Sequence, residues 1–142
     1  IGPEYDKLLE QIRDAPSRHM DTTPWRVNGE NHDLWTFVTK SEAIFRITKS
    51  NNHEVPLTVL GDHKETDVHD RHSAFETLAK KTGNDQQYCW LHIICDAKEL
   101  ERFYGKEGRI VKESLQKIHE DAKAFNGHGI MEDVDRLHEK LT

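Results

Sequence analysis

The sequence predicts an α+β fold: a two-layer sandwich whose mainly antiparallel four-stranded sheet, a meander plus one central strand, carries helices on one face and a C-terminal antiparallel helix pair. Three observations predict it. Apolar stripes at helical spacing open and close the chain, aromatic and β-branched segments alternate with turn residues over positions 34–60, and one continuous apolar run occupies positions 88–95. The chain of 142 residues has the size of one domain, so a single α+β domain over residues 1–142 is expected.

Tyr5, Leu8, Leu9 and Ile12 fall at i, i+3, i+4 and i+7, with Pro16 beyond them, which predicts a first helix over residues 4–15. Residues 17–24 show no period and read as a loop that delivers Trp25 to the body of the domain. Asn28-Gly29 is a turn signal. Residues 34–39 (LWTFVT) and 43–48 (AIFRIT), separated by Lys40-Ser41-Glu42, predict an antiparallel hairpin. After the turn residues Ser50-Asn51-Asn52, positions 55–60 (VPLTVL) complete the meander, and Pro56, which has no N–H to donate, makes this an edge strand.

A polar stretch over residues 62–71 precedes a short helix capped by Ser73, carrying Phe75, Leu78 and Ala79 and closing at Gly83. Residues 88–95 (YCWLHIIC) are read as the central strand, a run whose period alone does not separate strand from buried helix. Asp96 with Glu99 resembles a capping box, and Leu100, Phe103 and Tyr104 extend an apolar stripe until Gly105 and Gly108 break it. Val111, Leu115, Ile118, Ala122 and Phe125, four and three apart, predict a long helix over residues 109–125. Past Asn126-Gly127-His128-Gly129, the repeat of Ile130, Val134, Leu137 and Leu141 predicts a last helix that pairs with it. The expected core is Trp35, Phe37, Phe45 and Ile47 from the hairpin, Phe75 and Leu78 from the short helix, Leu91 and Ile93 from the apolar run, and Leu115 and Ile118 from the long helix.

A net charge of -6 argues against a sequence-independent grip on a phosphate backbone and against anionic lipid, so nucleic acid is not the expected partner. No apolar run reaches the roughly 20 residues of a membrane span, and no membrane partner is expected. Cys89 and Cys95 share one run, and their Cα atoms would lie about 20 Å apart in a strand or about 9 Å in a helix, too far for a disulfide. With no glycosylation sequon and no signal-peptide pattern, this places the chain in the cytoplasm or another intracellular reducing compartment.

The densest group of metal-binding side chains is Asp62, His63, Asp67, His69, Asp70 and His72, from which His63, Asp67, His69 and His72 are the candidate ligands of a divalent metal. Their spacing matches no defined motif, and a solvated polar loop is the competing reading. His92 reads either as a tuned acid or base or as a structural histidine. Cys89 follows Gln86-Gln87, an arrangement that could join a thiolate to an amide donor. Cys89-Trp90-Leu91 resembles the nucleophile region of compact viral papain-like leader proteases, over that triplet alone. The resemblance implies Cys89 as nucleophile, His128 as base and Asp133 as its orienting group; the competing reading makes Cys89 and Cys95 small buried hydrophobes. Lys80, Lys81, Arg102, Lys106, Arg109 and Lys112 lie near aromatic residues, as an RNA groove requires, but glutamates interleave with them.

No phosphate-binding glycine loop or serine-hydrolase elbow is present. The expectation is therefore a small non-enzymatic protein-binding domain, an adaptor, inhibitor or regulatory module acting through a sheet edge or its C-terminal helices, without a cofactor. Another protein is its expected partner, and exposed edge strands would also allow a homodimer. The alternatives are a metal-dependent hydrolase or nuclease using the cluster at residues 62–72, a cysteine protease with Cys89, and an RNA-binding domain.

Overall fold

The computed structural model describes residues 2–125. In chain order it contains α1 (Pro3–Arg13), β1 (Ser17–Val27), β2 (Glu30–Val38), β3 (Ala43–Thr48), α2 (Glu54–Leu60), β4 (Thr66–His69), α3 (Ser73–Thr82), β5 (Gln86–Tyr88), α4 (Trp90–Tyr104) and α5 (Lys106–Phe125). The chain divides into two compact units between Cys89 and Trp90.

The first unit holds a five-stranded mixed sheet in the order β3-β2-β1-β4-β5. The α+β class stands, while the expected four-stranded, mainly antiparallel sheet does not. β1 pairs antiparallel with β2 and parallel with β4, and β4 pairs parallel with β5. The β1–β2 hairpin closes at Asn28 and Gly29, both at positive φ (51° and 83°), which is the backbone of a two-residue type I′ turn. The β2–β3 hairpin forms where the sequence predicts it, and the Thr39 and Ser41 hydroxyls hold the Glu42 carboxyl below the usual carboxylate range at its turn.

Three expectations are corrected. Residues 17–27, read mostly as loop, form the central strand. One of its two buried positions is Arg18, beside Met20, so the hydrophobic alternation that marks a strand is broken. Pro24 is tolerated there because β4 pairs only with Ser17, Arg18 and His19, leaving the far half of β1 free of that neighbour. Residues 55–60 form α2 instead of an edge strand. Val55, Pro56, Val59 and Leu60 are buried at helical spacing, and Pro56 lies in the first turn, where an N–H has no helical acceptor. Residues 88–95 are not a central strand: β5 ends at Tyr88, the Cys89 amide donates to the His69 carbonyl at 2.7 Å, and α4 begins at Trp90.

Met20, Phe37 and Ile44 form one row across β1, β2 and β3. They join Ile12 of α1, Val59 and Leu60 of α2, and Phe75 and Leu78 of α3 in one core, so these helices cover a single face of the sheet. Trp35 meets Phe75 edge to face with centroids 5.8 Å apart. Phe45 and Ile47, expected in this core, lie on the other face at 62% and 49% exposure, because Ile44 takes the inward phase of β3.

The second unit is an α-hairpin. Gly105, in the left-handed region at φ 57°, ends α4 and lets α5 turn back. Trp90 stacks on His119 at 5.3 Å, while Glu101 accepts from Arg109 at 2.9 Å and from Lys112. These pairs run in opposite chain directions, which makes the helices antiparallel. Lys112 and then Arg109 hold the Glu101 carboxyl below its ordinary range. Gly108 permits the close approach, since a Cβ there would lie 2.2 Å from the Leu100 carbonyl oxygen. Leu91, an expected core residue, is exposed; Ile93, Leu115 and Ile118 are half-buried. The expected last helix and its pairing with residues 109–125 lie outside the described residues. Among the described residues, no helix is long and apolar enough to cross a membrane.

Candidate functional site

The parallel contact between β1 and β4 sets Ser17, Arg18 and His19 opposite Thr66, Asp67 and Val68. Both strands therefore run toward the same edge of the sheet. Asp21 of β1 and Asp70, the first residue after β4, meet there, each offering a carboxylate oxygen within 4.8 Å of the other.

Local structure aims both groups. Asp21 is exposed, and one of its oxygens accepts from the Thr22 amide at 2.9 Å. Asp70 is half-buried, and one of its oxygens accepts from the His72 amide at 2.9 Å. Two anionic groups this close repel each other unless a cation lies between them. Carboxylate oxygens are the ligands that hard divalent ions such as magnesium and manganese select. At ligand distances of about 2.0–2.6 Å, two oxygens on one ion stand at most about 5 Å apart, so the pair fits such an ion.

Buried groups lie directly behind these carboxylates. The His69 ring is buried, with Nδ1 facing the Asp70 carbonyl and Nε2 facing Gln86 Oε1; it stacks on Phe75 with centroids 4.9 Å apart. Gln86 donates its amide nitrogen to the carbonyls of Asn84 and Asp85 at 3.0 and 3.2 Å, which fixes the oxygen toward His69. Deeper still, the fully buried Arg18 and Asp67 pair at 2.8 Å, and Asn84 donates to the second Asp67 oxygen at 2.7 Å.

The candidate ligands predicted from sequence are dispersed. Asp67 is committed to Arg18 and Asn84, and His69 to the contacts just described. His72 caps α3, its ring accepting from the Ala74 amide at 3.2 Å. His63 lies beside Asp14 at 3.1 Å, in a group with Glu10 whose ligand atoms fall within 4.8 Å; Arg13 already binds Glu10 at 2.7 Å. Cys89 is half-buried at the end of β5, Cys95 is exposed, both are free thiols, and His92 is exposed on α4. His128 and Asp133 lie outside the described residues. Asp70 was within the sequence cluster, whereas Asp21 was missed because its strand was read as loop.

A model of the Transposase IS66 family matches residues 1–136. No curated protein matches. Among solved structures, the HTLV-2 integrase catalytic core domain in complex with magnesium, in its trimeric form, is 15% identical at a TM-score of 0.43, covering 64% of this chain and 73% of that one. Its dimeric form gives 14% and 0.42, covering 63% and 72%. The simian T-cell lymphotropic virus intasome in complex with PP2A regulatory subunit B56 gamma gives 12% and 0.43, covering 85% and 46%. Likenesses this distant carry no functional argument. The family match overturns the expectation of a non-enzymatic, regulatory protein-binding domain, and it removes the ground for setting nucleic acid aside. That expectation rested on finding no local constellation and on whole-chain charge, and neither reports on two carboxylates brought together by strand pairing.

Proposed function

The chain belongs to the Transposase IS66 family, and on that premise we propose that the Asp21–Asp70 edge is the catalytic centre of a metal-dependent nuclease acting on the phosphodiester bonds of DNA. The observation that carries this reading is the approach of two carboxylates to within 4.8 Å, one from within β1 and one from the residue that follows β4, just past the segment where these strands pair in parallel. In this reading Asp21 and Asp70 are the two acidic ligands of the centre.

Asp21 and Asp70 would hold the divalent ion. When bound, such an ion supplies Lewis-acid stabilisation of the negative charge that develops around a reacting phosphorus. The chain's own part is placement. The Thr22 and His72 amides each orient one carboxylate, and the buried His69 ring braces the backbone that presents Asp70. The exposure of Asp21 leaves the edge open to a strand of DNA. A chain of net charge -6 has little general attraction for a polyanion, so DNA engagement should depend on the divalent ion more steeply than for a basic nuclease.

The test is nicking of labelled duplex DNA with magnesium or manganese. Asp21→Asn and Asp70→Asn should each abolish it, as should EDTA, with the thermal unfolding midpoint unchanged. Nicking that persists in both variants would refute the assignment.

A further inference from the structure

We infer that Arg18 and Asp67 are positioning residues for the Asp21–Asp70 centre: their buried ion pair sets the register of β1 against β4 that brings the two carboxylates level. The inference rests on the reading of that edge as a metal centre. Arg18 and Asp67 are direct partners across the parallel pair. Asp21 within β1 and Asp70 just past the end of β4 each stand three residues further along the chain, so equal strides from one rung deliver both carboxylates to the same height.

The ladder itself is short, with only Ser17, Arg18 and His19 of β1 in register with β4. A slip of two residues would keep every side chain on its face of the sheet while moving one carboxylate by about 7 Å, beyond the reach of a shared ion. The side chains oppose that slip. Arg18 donates through Nε to Asp67 at 2.9 Å, through Nη1 to the Arg13 carbonyl at 3.1 Å and through Nη2 to the His63 carbonyl at 3.3 Å. Asp67 in turn accepts from Asn84 at 2.7 Å. The pair thus ties β1 and β4 to the end of α1, to the loop before β4 and to the approach to β5. Both side chains are fully buried, so any other register strands a charge away from water. A buried ion pair adds little net stability over apolar side chains of similar volume, and its distinctive effect is to penalise alternative arrangements.

That separation gives the experiment. The double variant Arg18→Met, Asp67→Leu removes both charges together and should unfold cooperatively near the wild-type midpoint, while manganese titrated into the full chain binds about tenfold more weakly or worse. A folded double variant that binds manganese as tightly as wild type overturns the inference. If the double variant does not fold, Arg18→Lys takes its place. It keeps the charge but loses the fork that spans three acceptors, so weaker manganese binding with intact folding is expected, and unchanged binding overturns the inference equally. Failure of the underlying reading looks different: wild-type chain that binds no manganese, or Asp21→Asn that binds it as wild type does, removes the metal centre and the positioning role with it.

Discussion

Two pairs of charged side chains face each other across β1 and β4, three residues apart, and they serve opposite ends. Arg18 and Asp67 are fully buried, opposite in sign and surrounded by hydrogen-bond partners. Asp21 and Asp70 have the same sign and lie at the more exposed edge. Burial selects for the first arrangement, because a charge out of water is tolerated only when paired and hydrogen-bonded. Like charges held close at an edge are an unfavourable local arrangement that a cation relieves, the kind of local cost that marks functional sites. The buried pair therefore penalises other arrangements of the strands, and the exposed pair is the one proposed to carry the chemistry.

The contrast can be broken from either side. The largest effect is expected for Asp67→Ala, which strands the Arg18 guanidinium and should cost about 3–5 kcal/mol in denaturant unfolding. Asp21→Asn should do the reverse. Nicking should fall at least about 100-fold, equivalent to about 2.7 kcal/mol in the barrier, with stability changed by less than about 0.5 kcal/mol. Comparable losses of stability in both variants would erase the distinction between the pairs. Gly108→Ala tests close packing in the α-hairpin, where the added methyl meets the Leu100 carbonyl; a cost of about 1–3 kcal/mol is expected in thermal unfolding.

The smallest effect belongs to a third set of charges, the contacts of half-buried Glu101 with exposed Arg109 and half-buried Lys112. Because Lys112 and Arg109 lower the Glu101 carboxyl in the folded chain, any stability it contributes is present above the ordinary carboxylate range and lost as pH falls through the lowered value. Glu101→Gln should therefore cost slightly at neutral pH and nothing in strong acid, as read from urea midpoints across pH. A cost that persists in acid would mean that packing, not charge, holds this contact.

Much of the fold was legible because local patterns carry it. The stripe of Tyr5, Leu8, Leu9 and Ile12 became α1, Asn28-Gly29 became a hairpin turn, and Gly83 closed α3 in the left-handed conformation. The candidate site was legible only in part. Asp70 lies in the segment dense with histidine and aspartate but is not among the four ligands chosen from it, while Asp21 lies in a stretch where one of the two inward residues is an arginine, so no hydrophobic alternation announces a strand. The neighbouring His69 and His72, candidate ligands by their spacing, make hydrogen bonds to backbone and side-chain groups in the fold.

From the sequence alone follow the α+β class, the β2–β3 hairpin and the helical character of residues 109–125, since periodicity and turn chemistry act over a few residues. Which segment became the central strand, that residues 55–60 and 90–95 are helical, and that Asp21 meets Asp70 were decided only in the tertiary structure. The physical reason is range: parallel pairing joins residues as distant in sequence as Arg18 and Asp67, 49 positions apart, and no local spacing rule reaches that far.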